Sequence, residues 1–69
     1  MSAPLILVVE NNRTDQQVFN HLLDKYDYRP QIVSSAAAAL EVVRHTRYAV
    51  ILLSLNLPDM DGYTCAKAI

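Results

Sequence analysis

The sequence predicts an α/β fold built on a small parallel sheet, and three observations lead there. Residues 5–9 and 49–53 are continuous apolar runs rich in branched side chains, too short for helices and too uniformly apolar for strands with one wet face. The segments between them carry helix-forming residues or apolar residues at helical spacing. Strand-like and helix-like segments therefore alternate, which calls for parallel strands joined by right-handed crossovers.

Taken in order, Leu5-Ile6-Leu7-Val8-Val9 is the first strand, and Glu10, Asn11 and Asn12 end it with polar groups. Thr14 and Gln17 stand at capping-box spacing. Val18, Phe19, Leu22, Leu23 and Tyr26 then form an amphipathic stripe, so the spacing predicts a helix over 15–26. Residues 27–30 make a turn into a short strand at 31–33. Pro30 cannot donate to a ladder, which places that strand at a sheet edge. Ser34 and Ser35 offer an N-cap, and the alanine run at 36–39 with Leu40 begins a second helix. This helix should end near His45, where Arg44, His45 and Arg47 suit the negative end of its dipole. Residues 49–53 form a third strand, Pro58, Asp59, Asp61 and Gly62 belong to a turn, and residues 63–69 begin a third helix that Asp61 caps.

Composition narrows the function classes. Sixty-nine residues make one small domain, and a domain of this size buries only about 60% of the surface its unfolded chain exposes. Yet 52% of the residues are hydrophobic. The chain must have a dense interior or keep an apolar face for a partner. A net charge of −1 without a basic stripe leaves no footprint for nucleic acid. The single cysteine, Cys65, excludes an internal disulfide and a Cys-rich zinc site, and it suits a reducing, cytoplasmic setting. No apolar run approaches the length of a membrane helix or a signal peptide, so no membrane contact is expected.

The apolar first strand belongs between the other two, giving the order 2-1-3, the first part of a flavodoxin-like sheet. In such sheets ligands bind beyond the carboxyl ends of the strands where chain order reverses. Neighbouring strands lie about 4.8 Å apart, so Glu10 and Asn11 should sit beside Ser54, the lone hydroxyl at the end of the third strand. A Ser-His-Asp triad is not indicated: no G-x-S-x-G elbow surrounds Ser54, and His21 and His45 fall on helices. The Asp59-Met60-Asp61-Gly62 turn lacks the acid and the glutamate of a calcium loop.

At LILVVENN (5–12), LLDKYDY (22–28), Ala39-Leu40 and YAVILLSLNLPDMDGY (48–63), the chain resembles the first half of a receiver domain of two-component response regulators and hybrid histidine kinases. That resemblance implies a phosphorelay module in which an acidic pair ends the first strand. An aspartate near the end of the third strand accepts phosphate from a histidine, and Mg²⁺ bridges these carboxylates with help from a backbone carbonyl. Here the acidic pair falls on Glu10 and Asn11, the acceptor on Ser54 and the carbonyl ligand on Asn56. Mg²⁺ favours charged oxygens and sheds water reluctantly. With Glu10 the sole remaining carboxylate of the set, its binding is expected to be weak or absent. A serine hydroxyl is a poor nucleophile without an activating base.

The family's domain is also longer, with a hydroxyl and a lysine on later strands. Residues 1–69 are therefore expected to be a receiver-like domain truncated on its C-terminal side. The leading expectation is a non-enzymatic pseudo-receiver that binds a histidine kinase or another signalling protein and associates with itself through the third-strand edge. One alternative is an ordinary phospho-accepting receiver in truncated or substituted form. Another is a flavodoxin-like small-molecule binder, for which a chain with one glycine offers no glycine-rich phosphate cradle.

Overall fold

A computed structural model of the chain describes residues 3–69. The elements run β1 (Leu5–Val9), α1 (Arg13–Lys25), β2 (Arg29–Val33), α2 (Ala36–Val43), β3 (Val50–Leu53) and α3 (Gly62–Ala68). The strands are parallel in the order β2-β1-β3, as in the partial flavodoxin-like sheet expected. Leu7 stands opposite Gln31 on one side and Ile51 on the other, and Val9 opposite Val33 and Leu53. Pro30 is tolerated because β2 pairs only with β1 among the described residues.

β1 is buried on both faces, with Leu7 and Val9 fully inaccessible and Ile6 and Val8 nearly so. Alternation along the strand sends these pairs to opposite sides of the sheet. Leu7 and Val9 meet Ala36 and Ala39 of α2 and Cys65 of α3, with Leu40, Ile51, Leu53 and Met60 packed around them. The small side chains at Ala36 and Ala39 let α2 lie close on the strand. Val8 faces the other way, where it shares a cavity with Phe19 of α1 and Leu52 of β3.

Several boundaries differ from those expected. α1 starts at Arg13 rather than residue 15, because Asn12 caps it in place of Thr14: the Asn12 side chain accepts from Asp15 N–H at 3.0 Å. A short amide on extended backbone, in the link between β1 and α1, satisfies a first-turn donor in place of Thr14. β2 begins at Arg29, two residues early, since its ladder to Leu5 reaches past Pro30. α2 stops at Val43, where Arg44, His45 and Thr46 N–H groups already satisfy the carbonyls of Glu41 and Val42. α3 starts at Gly62, one residue early, and Asp61 is its N-cap as expected. The third strand is four residues, and Val50 is 48% exposed.

The α1 stripe divides. Gln16, Phe19 and Leu23 are half-buried, whereas Val18, Leu22 and Tyr26 are exposed. The helix lies mainly over β2, so only one narrow side of the apolar stripe finds the sheet.

The α1–β2 turn holds Asp27 at a φ of 64°, in the left-handed region. Aspartate tolerates this better than most residues, and a β-branched side chain does not. Asp27→Val should cost about 1–2 kcal/mol, whereas Asp27→Gly should be near neutral. Urea midpoints at one fixed protein concentration, with unchanged slopes, check this. Equal midpoints for the two variants would show that the turn relaxes out of the left-handed region.

Candidate functional site

Where β1 and β3 end, Glu10, Asn11, Asn12, Asp15, Ser54 and Asn56 line a cavity of about 330 Å³. The ladder puts them there. Ser54 N–H donates to the Val9 carbonyl at 2.9 Å, and Glu10 N–H donates to the Val33 carbonyl at 2.9 Å. The end of β1 is thereby tied to both neighbouring strands. The structure thus brings together the four residues singled out in sequence, Glu10, Asn11, Ser54 and Asn56. It adds Asn12, the N-cap of α1, and Asp15 in the first turn of that helix.

Several polar groups of the cleft hydrogen-bond within the protein. Glu10 Oε2 accepts from Asn12 N–H at 3.0 Å, and its backbone carbonyl accepts from the Gln16 side-chain amide at 2.5 Å. Ser54 Oγ accepts from Asn56 N–H at 3.2 Å, closing a small hydroxyl turn over the end of β3. Among the described residues no hydrogen bond joins the Ser54 hydroxyl to a base. His45 pairs instead with Glu41 at 3.2 Å on the exposed face of α2, and His21 is exposed on α1. A serine without a partner base is a hydrogen-bonding group and a weak nucleophile.

The residues here do not fit Mg²⁺. Its preferred set of anionic oxygens in near-octahedral array would have to come from Glu10, the Asn11 amide and a hydroxyl that already accepts an N–H bond. Among the described residues no three His, Cys, Asp or Glu side chains are placed to hold a metal. Asp15 adds a carboxylate at the rim, from the first turn of α1 and not from a strand end.

The turn behind the cleft braces it, while its residues stay out of the cavity lining. Asp61 caps α3 through Thr64: the N–H donates to Oδ1 at 2.9 Å and the hydroxyl to Oδ2 at 2.8 Å. Asp59 reaches to α2, where Ala36 N–H and Ala37 N–H donate to its two carboxylate oxygens at 2.9 and 2.8 Å. Pro58, just before Asp59, is exposed. Gly62 is buried against the strand end, and its N–H donates to the Leu55 carbonyl at 3.1 Å. The Asp59 bridge was not legible in the sequence, because its partners are backbone groups far away in the chain.

These hydrogen bonds set the acid–base behaviour. The Ala37 and then the Ala36 N–H hold Asp59 below the ordinary carboxylate range, and Thr64 does the same for Asp61. Carboxylates lowered on folding stabilise the fold fully above their unfolded value, about 3.9. That contribution is lost as pH falls through their lower folded values. Burial, followed by the charge of Asp59, pushes the Cys65 thiol up, so it stays protonated in the core.

Residues 6–69 match the response regulator receiver domain family. The chain is 31% identical over 64 residues to hybrid signal transduction histidine kinase M of Dictyostelium discoideum, covering 90% of this chain and 3% of that kinase. It is also 31% identical to transcriptional regulatory protein YxdJ of Bacillus subtilis (strain 168), covering 93% of this chain and 28% of that regulator. The fold superposes with a TM-score of 0.93 on the receiver domain of sensor histidine kinase PA1611 from Pseudomonas aeruginosa PAO1, solved with magnesium coordinated in its active-site cleft. Sequence identity there is 31%, covering 97% of this chain and 55% of that one. The chain therefore spans about half of that solved domain and a small part of the longer proteins.

A Cβ at position 62 would lie 2.4 Å from the Ser54 carbonyl oxygen and 2.8 Å from Leu55 Cα, both backbone atoms that cannot swing aside. Gly62→Ala should cost about 1–3 kcal/mol, the usual penalty for overpacking, and displace the Ser54 and Leu55 amide resonances. Wild-type stability with unmoved amides would show that the α3 start does not brace the cleft.

Proposed function

Because this chain belongs to the response regulator receiver domain family, we propose that it is a pseudo-receiver: a two-component signalling module that works by protein contact and does not carry phosphate. The observation that supports this most directly is the Ser54 hydroxyl at the acceptor position. It accepts from Asn56 N–H, with the Asn11 amide where a carboxylate would be needed. In this reading the chain is not an enzyme, and its partner is a histidine kinase or another signalling protein in the cytoplasm. No described helix is long and apolar enough to cross a membrane.

Incubation with acetyl phosphate or beryllofluoride and Mg²⁺ should leave the intact mass and the ¹⁹F spectrum unchanged. A stable Mg²⁺-dependent adduct at Ser54 sinks the reading. Asn11→Asp with Ser54→Asp should restore divalent binding, because three carboxylates then meet at adjacent strand ends. Amide shifts at positions 10, 11 and 54 at millimolar Mg²⁺ measure it, and their absence means the strand ends are misplaced.

Self-association belongs to the same proposal. Among the described residues nothing pairs with the outer edge of β3. That edge carries no charge or proline over Val50–Leu53, the usual protections of an exposed strand. Sedimentation at low micromolar concentration should show a dimer with slow amide exchange across β3. A folded monomer whose β3 amides exchange quickly removes self-association from the proposal.

A further inference from the structure

We propose that Asp59 is a positioning residue for the cleft: by bridging the first turn of α2, its carboxylate holds the 54–61 loop and so sets Ser54 and Asn56. This deepens the reading above and rests on it only in taking the cleft as the working surface.

The first turn of α2 has donors to satisfy, and two distinct groups supply the acceptors. Ser35 Oγ takes Ala38 N–H at 3.1 Å, the ordinary local cap. Ala36 and Ala37 N–H go to Asp59, more than twenty residues away in sequence. Both are charge-assisted, with one carboxylate oxygen for each donor. α2 itself is seated on β1 through the fully buried Ala36 and Ala39. Asp59 therefore ties its loop to the best-packed part of the molecule.

The base of the loop is closed by other contacts. Asn56 and Asp61 form an antiparallel bridge, Gly62 N–H donates to the Leu55 carbonyl, and Gly62 packs against the Ser54 carbonyl. Movement at Asp59 is thus passed to Asn56, whose N–H sets the Ser54 hydroxyl. Seen only as a second helix cap, Asp59 would affect α2 and nothing at the cleft.

The ionisable groups around it are few. Asp61, in the same loop, is occupied by Thr64. Cys65 on α3 is held protonated chiefly by burial. Glu41 on α2 is engaged with His45, and Glu10 at the end of β1 with Asn12 N–H. Backbone donation holds Asp59 below the ordinary carboxylate range, so the bridge is intact at neutral pH and opens only in acid.

The test follows folded-state amide resonances of the 69-residue chain from neutral to acid pH. Ala36, Ala37, Ser54 and Asn56 should share one midpoint below the ordinary aspartate value, and Asp61→Asn should leave that midpoint in place. Titration of Ala36 and Ala37 alone overturns the proposal and leaves Asp59 a simple cap. At neutral pH, Asp59→Asn should speed amide exchange at Asn56 and Gly62 about tenfold while Leu7 is unchanged. Unchanged exchange at Asn56 and Gly62 also overturns it. A variant that unfolds as a whole loses protection at Leu7 too, and the wild-type titration then decides. Neither measurement uses a phosphoryl donor or a partner, so this proposal and the pseudo-receiver reading fail separately.

Discussion

The pairing of β1 with a parallel strand on each side, to β2 from Leu5 to Val9 and to β3 from Ile6 to Val9, is the interaction on which everything else rests. Buried backbone N–H and C=O groups must be paired, and among the described residues only β1 has strand partners on both edges. Its side chains then have to be apolar on both faces, as Ile6, Leu7, Val8 and Val9 are. The same ladder delivers the first polar residues after the strand, Glu10 and Asn11, to the side of Ser54. Core and cleft are consequences of one hydrogen-bonding pattern, and disturbing it would affect both.

Within the cleft, chemistry is decided by charge more than by shape. The backbone follows that of receiver domains closely, so the strand ends converge as they do in that family. Glu10 supplies one carboxylate from the strand end, while Asn11 and Ser54 supply neutral dipoles. Neutral oxygens hydrogen-bond well and hold a small, strongly hydrated cation poorly. Three side chains here are spent on the protein's own backbone: Asn12 on the start of α1, Ser54 on Asn56 N–H, and the Glu10 carboxylate on Asn12 N–H.

The hydrophobic content noted in the sequence is only partly absorbed by the core. One face of the sheet is well covered by α2 and α3, and small residues at Ala36 and Ala39 bring α2 in close. On the other face α1 covers chiefly β2, leaving Val18, Leu22 and Tyr26 on the helix and Val50 on β3 exposed. Exposed apolar side chains clustered on one side mark a contact surface more often than scattered ones do. Val50 lies on β3 itself, whose outer edge is unpaired among the described residues, so that edge is both apolar and open to strand pairing.

Short-range physics was legible in the sequence because its causes are local. The apolar run of β1, the proline that confines β2 to an edge, Ser35 before the alanines and Asp61 before α3 each act within a few residues, and each lies where its chemistry predicts. The juxtaposition of Glu10, Asn11, Ser54 and Asn56 was legible too, because parallel pairing leaves one way to align the strand ends. Thr14 failed as a cap because Asn12, three residues past the end of β1, already caps the helix. What only the tertiary structure decided depends on groups far apart in the chain. Asp59 finds Ala36 and Ala37 because α2 and the β3–α3 loop are packed side by side. Half of the α1 stripe stays exposed because the sheet beneath it is narrow. Side-chain identity determined which elements form and which polar groups line the cleft, while the distances between elements, which no local pattern encodes, determined what braces it.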